Sequence, residues 1–189
     1  MKLRIAKIEV LIGVEAVAAM TAVLLLDRGN RIICCFLAAA LHELGHILMM
    51  RWCGVRVRRV RLRLFDALIE ADEAPSFAAD VLITLGGPAV NLLCAVVFCP
   101  FSLKLGLPHL MLGVFNLLPV MSLDGCHLAA ICLSRRFSPR FCDLALCIST
   151  VIFLVPLTAA GFMILCRSGY NYSLLLIALY LTAILLLKQ

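Results

Sequence analysis

Residues 32–50 read Ile-Ile-Cys-Cys-Phe-Leu-Ala-Ala-Ala-Leu-His-Glu-Leu-Gly-His-Ile-Leu-Met-Met. The run is apolar except around His42, Glu43 and His46, and it is close to the ~20 residues that a membrane helix needs. Side chains four apart share one face of a helix, so His42 and His46 can bind one metal ion. Glu43 lies beside them, placed to take a proton from water that the metal activates. Ionisable groups at membrane depth are costly and functional by default. Two His and one Glu within a single turn have no lipid-facing explanation. A buried polar network without metal is the competing reading.

The rest of the chain has the same character. Of 189 residues, 64% are hydrophobic and the mean hydropathy is +1.09, against about 45–50% apolar in an ordinary soluble domain. Six segments are candidate spans: 5–26, 32–50, 78–103, 108–131, 143–166 and 171–187. The expected fold class is therefore an all-α polytopic membrane protein. It has six transmembrane helices and a short β-strand or hairpin after the His-Glu helix. The third and fourth spans are expected to break, at Gly86-Gly87-Pro88 and at Pro119 and Gly125, as helices do where they line a cavity. The first apolar stretch is too long for a removable leader, whose core is about 7–15 residues. It is expected to be retained. The whole of 1–189 is expected to form one membrane-embedded domain with its core at 32–131.

Charge fixes the expected orientation. Thirteen of the 17 Lys and Arg residues fall at one set of span ends, which places both termini in the cytoplasm by the positive-inside rule. The net charge of +6 is thereby a matter of topology, and no nucleic-acid partner is expected. Ten cysteines contain no Cys-x-x-Cys pair and read as small hydrophobes in apolar runs. Glu9 and Glu15 lie in the first segment. Glu9 is expected at the interface near Lys7, and Glu15 facing another span or a polar cavity.

Residues 55–65 depart from the helical pattern. From Val60 to Leu64 apolar residues alternate with Arg, the period of a strand with one basic face. One reading rests this segment on anionic lipid. The other makes it an edge strand that an extended substrate joins. Acidic Glu70, Asp72 and Glu73 follow.

A catalytic zinc usually takes three protein ligands. Asp124 is the favoured third candidate, because its span runs in the same direction as that of His42 and His46 and all three fall in the cytoplasmic half. His127 is its rival. His109 falls at the outer end of its span, at the wrong depth.

His-Glu-x-x-His in one span, followed by Asn116-x-x-Pro119-x-x-x-Leu123-Asp124-Gly125 in a later one, resembles the site-2 protease family. Gly87-Pro88-x-x-Asn91 is similar to the family's intervening core segment. The resemblance covers 32–131. The layout is most similar to the sporulation-type bacterial branch, without its nucleotide-sensing CBS pair, and Cys126 stands where a second Gly is common. The resemblance implies a Zn2+ enzyme, with His42, His46 and Asp124 as ligands and Glu43 as general base and later acid. Asn91 and Asn116 would line the site, or else serve interhelical hydrogen bonds. It implies an intramembrane metalloendopeptidase of the bacterial cytoplasmic membrane, which cleaves single-span or membrane-associated proteins with or without a gating partner. A metal transporter or sensor would not need Glu43. An inactive relative that binds membrane proteins would be expected to have lost a ligand or the base.

Overall fold

The computed structural model describes residues 2–5, 8–12, 31–62, 67–169 and 172–187. They fall into two compact units, Met1–Val114 and Phe115–Gln189.

The first unit combines a sheet with helices. Strands β1 (Lys2–Ile5), β2 (Ile8–Ile12), β3 (Val57–Leu62) and β4 (Ala67–Ala71) form one sheet in the order β1-β2-β3-β4. β1 and β2 pair antiparallel, β2 and β3 parallel, β3 and β4 antiparallel, with an irregularity between Val57 and Arg59. The backbone register aligns position 4 with 9, 9 with 59 and 59 with 70 across the four strands. Opposite charges on neighbouring strands stabilise a sheet. Arg59 also pairs with Glu70 at 3.4 Å and Arg58 with Asp72 at 2.5 Å.

Two expectations fail here. The span expected at 5–26 does not begin as a helix, because Ile5 ends one strand and Ile8–Ile12 forms the next. The Ile and Val of this stretch suit a pleated pair as well as a helix, and pairing with β3 decides it. Glu9 accordingly belongs to a strand. Residues 13–26, and with them Glu15, lie outside the described residues. The edge-strand reading of 55–65 also fails, because β3 is flanked by β2 and β4 and both its hydrogen-bonding edges are taken.

Helix α1 (Arg31–Trp52) matches the expected second span. It ends where Gly54 adopts φ 76°, with Val55 N–H donating to Met50 O at 2.8 Å and Gly54 N–H to Arg51 O at 3.2 Å. This is the left-handed glycine stop of a Schellman motif. Helix α2 (Phe77–Phe98) starts at Ser76, whose hydroxyl accepts from Ala79 N–H at 3.2 Å. The expected break at Gly86-Gly87-Pro88 is absent, and α2 runs through it. The glycines serve contact rather than rupture. A methyl on Gly45 of α1 would strike Gly86 O and lie 2.9 Å from Gly86 C, and one on Gly86 would lie 2.7 Å from Gly45 O. Backbone meets backbone, as at small-residue helix crossings in membranes. Helix α3 (Leu103–Asn116) buries Gly106, His109 and Gly113 on one face.

The second unit begins at the end of α3. Residues 117–123 are a series of turns, so the expected break at Pro119 is real. Helix α4 (Asp124–Leu133) resumes at Asp124. Helices α5 (Pro139–Ser168) and α6 (Ser173–Leu187) complete the unit. Its core joins Val120 of the turns to Leu154 of α5 and to Ala178, Leu181 and Leu185 of α6.

Among the described residues, α1 from Ile32, α2 and α5 are long and apolar enough to cross a membrane. Large apolar side chains such as Leu93, Val96 and Ile152 stand exposed on α2 and α5, a surface suited to lipid.

Candidate metal centre

His42 and His46 are 5% and 8% exposed on the face of α1 that meets α2. Their Nε2 atoms stand 3.2 Å apart, and the rings meet edge to face. Each ring is held from behind. His46 Nδ1 lies 2.8 Å from Ile83 O. A carbonyl only accepts, so Nδ1 carries the proton and the Nε2 lone pair faces forward. His42 Nδ1 lies 3.2 Å from the Asn91 amide. Such outer contacts fix the ring orientation of metal-ligating histidines.

Gly87 is the floor beneath them. A methyl there would strike His46 Nε2 and come within 2.8 Å of His42 Nε2 and Cε1. The bare glycine gives both imidazoles room to converge, and the donor set suits a metal that takes neutral imidazole nitrogen. Glu43 follows His42 on α1 and is half-buried.

Asn91 is fully buried and carries a second contact, because its Oδ1 lies 3.1 Å from His109 Nδ1. The sequence places His109 at the wrong depth for a ligand. It is fully buried, touches Asn91, and packs its ring 5.6 Å from that of Phe98. One signal in the sequence pointed this way. Gly106, His109 and Gly113 share a face of α3 at spacings of three and four, the pattern of a small-residue contact with a polar residue inside it. Gly113 would meet Asn91 Cβ at 3.2 Å if it bore a methyl, and its bareness lets α3 approach closely.

Asp124 belongs to the second unit, at the first position of α4, and is half-buried. Helix N-termini favour carboxylates. The turns before it are braced from α5. Ser149 Oγ donates to Pro119 O at 2.7 Å, and Met121 N–H donates to Thr150 Oγ1 at 3.0 Å. Val120 anchors the same turns in the apolar core. Ser122 has φ 76°, a strained value for a residue with a side chain. Gly125 is required locally, because a methyl there would strike Leu117 O and Leu117 C. The Leu-Asp-Gly of the sequence is thus the cap and first turn of a helix in which the residue after Asp124 must be bare. Asn116 ends α3, half-buried, and His127 is exposed on α4. None of the ten cysteines forms a disulfide among the described residues.

Residues 31–108 match the model for peptidase family M50. A zinc metalloprotease of Methanocaldococcus jannaschii is 28% identical over 115 residues, which are 54% of this chain and 34% of that protein. Rip3 of Mycobacterium tuberculosis, assigned as a zinc metalloprotease, is 33% identical over 112 residues, 50% of this chain and 28% of that protein. The match thus spans about a third of the length of these curated relatives. The solved site-2 protease from Methanocaldococcus jannaschii superposes with a TM-score of 0.63 at 22% identity, covering 96% of this chain and 91% of that one. The likeness shows a shared fold.

Proposed function

With residues 31–108 a peptidase family M50 domain homologous to zinc metalloproteases, we propose that this chain is an intramembrane zinc metalloendopeptidase. His42, His46 and Asp124 hold the ion, and each offers one ligand atom of a kind that zinc takes. The observation that carries the reading is the convergence of two Nε2 atoms, each ring held at Nδ1, with Glu43 beside them.

When bound, zinc supplies a Lewis acid that polarises a carbonyl and lowers the pKa of water to about 7. The remaining work belongs to the chain. Glu43 takes the proton from the attacking water and returns it to the leaving amine. Ile83 O and Asn91 hold the two imidazoles. Asn116 lines the site and donates to the substrate backbone. A membrane helix satisfies its own backbone groups, so the substrate unwinds locally before its carbonyl is exposed. The substrates are single-span or membrane-associated proteins. The chain lies in a bacterial cytoplasmic membrane with both termini inside, as the distribution of Lys and Arg supports, and its layout resembles the sporulation-type branch.

The test pairs metal content with cleavage in purified wild type, Glu43→Gln and Asp124→Ala. The expected result is about one zinc per chain in wild type and Glu43→Gln, less in Asp124→Ala, and cleavage of single-span substrates by wild type alone. Wild-type protein that cannot be loaded with zinc overturns the reading. Zinc without cleavage of any substrate would favour an inactive relative.

A further inference from the structure

The hydrogen-bond chain His42–Asn91–His109 has a direction, and the direction bears on metal binding. An amide presents an acceptor at Oδ1 and a donor at Nδ2. Asn91 spans two buried imidazole nitrogens, with Nδ2 placed 3.2 Å from His42 Nδ1 and Oδ1 placed 3.1 Å from His109 Nδ1. Two polarities fit the same heavy atoms, because the amide oxygen and nitrogen exchange places by a half-turn.

In one polarity Nδ2–H donates to His42 Nδ1. The proton of a neutral His42 then sits on Nε2 and blocks the lone pair that a metal needs. In the other, His42 Nδ1–H donates to Asn91 Oδ1 and Nε2 is bare. Asn91 Nδ2–H then donates to His109 Nδ1, which must be the unprotonated nitrogen. His109 Nε2 is buried and makes no hydrogen bond among the described residues. Among the described residues nothing else pins its tautomer, and the ring can follow Asn91 in either direction.

We propose that His109 is a positioning residue for metal binding. It accepts from Asn91 in the polarity that turns the amide oxygen toward His42, and so holds His42 in its ligand tautomer. The fold supports this assignment. Gly113, one turn beyond His109, lets α3 approach Asn91, and Phe98 packs against the His109 ring. An apolar residue at 109 would leave the outer side of a fully buried amide without a partner, and the amide would no longer be held in one orientation. A glutamine, which also offers both a donor and an acceptor, would restore the arrangement.

The inference rests on the reading of His42 as a ligand, and the two fail differently. Zinc affinity is measured by chelator competition on purified full chain, with the absorption spectrum of the Co2+-loaded protein and the melting of metal-free protein alongside. For outer partners of a ligand the expected loss is about 10–100-fold. Asn91→Leu falls in that range, His109→Leu loses about tenfold, and His109→Gln returns to within about threefold of wild type. The Co2+ spectrum of His109→Leu shifts with the geometry of its ligands. The double variant Asn91→Leu/His109→Leu binds no more weakly than Asn91→Leu alone, because His109 acts through Asn91. Wild-type affinity in folded His109→Leu, or additive losses in the double variant, overturns the proposal. A lower melting temperature with unchanged affinity also overturns it, by making His109 a packing residue only. Should His109→Leu fail to fold, His109→Gln and Asn91→Leu decide: wild-type affinity in Asn91→Leu overturns, and its loss with retention in His109→Gln supports. A wild-type chain that takes up no zinc refutes the metal centre itself.

Discussion

Replacing Gly87 by Ala tests the metal centre through a residue that offers no ligand atom. The added methyl would stand 2.8 Å from His42 Nε2 and Cε1 and closer still to His46 Nε2. Ordinary contact begins at 3.4 Å, a shortfall of about 0.6 Å. Gly87 sits in the middle of α2, next to Gly86, which is itself pressed against Gly45. The methyl has no direction of retreat, and the imidazoles must turn or the helices must part. Metal–ligand distances hold within about 0.2 Å, so a displacement three times larger removes at least one good bond. Zinc affinity should fall about 10–100-fold, the range seen when supporting contacts are lost. Overpacking should cost about 1–3 kcal/mol of stability. Gly54→Ala is the control. Gly54 has φ 76° and open space around it, so the change costs about 1 kcal/mol through strain and leaves zinc affinity at its wild-type value. The assays are chelator competition and thermal melting in detergent, followed by cleavage. Gly87→Ala with wild-type zinc affinity and cleavage would refute the reasoning, because the imidazoles would then not converge over this glycine.

Further outcomes follow from the second unit and from the ion. Gly125→Ala drives a methyl into the Leu117 carbonyl; it should cost about 1–3 kcal/mol and lower zinc content, read by melting and metal analysis. Ser149→Ala removes the donor to Pro119 O and should cost about 0.5–1.5 kcal/mol, with zinc content reduced in step if the turn presents Asp124. Glu70→Gln weakens the half-exposed pair with Arg59 and should change stability by no more than about 1 kcal/mol, less at high salt, with cleavage unaffected. A strong chelator should abolish cleavage and lower the melting temperature, and added zinc should restore both, because an ion that binds only the folded state stabilises it by mass action.

Much of this was legible in the sequence. Hydropathy placed α1 within a residue or two, because a run of apolar residues as long as the bilayer has few other uses. That His42 and His46 share one face of a helix was legible because spacing on a helix is geometry. The break at Pro119 was legible for the same kind of reason, a missing N–H. Gly86-Gly87-Pro88 misled, because glycine serves both to break a helix and to let another helix touch it. Only the partner, Gly45, tells the two apart. Ile8–Ile12 misled because an apolar stretch has no periodicity that separates a strand from a buried helix. One of its two partner strands, β3, lies about fifty residues away. His109 was dismissed on depth, an argument about distance along one helix. Its meaning comes from Asn91 on another.

The crossing of α1 and α2 at Gly45 and Gly86 also orders events in the life of the chain. Both helices can insert separately, since each satisfies its own backbone. Until they dock, however, Ile83 O and Asn91 are away from the imidazoles, and neither ring has a fixed tautomer. On the proposed zinc reading, metal capture therefore comes after helix docking. On the proposed reading as a zinc metalloendopeptidase, a newly inserted chain is hydrolytically silent while it searches for its packing, and a chain that mispacks never acquires the means to cut its neighbours.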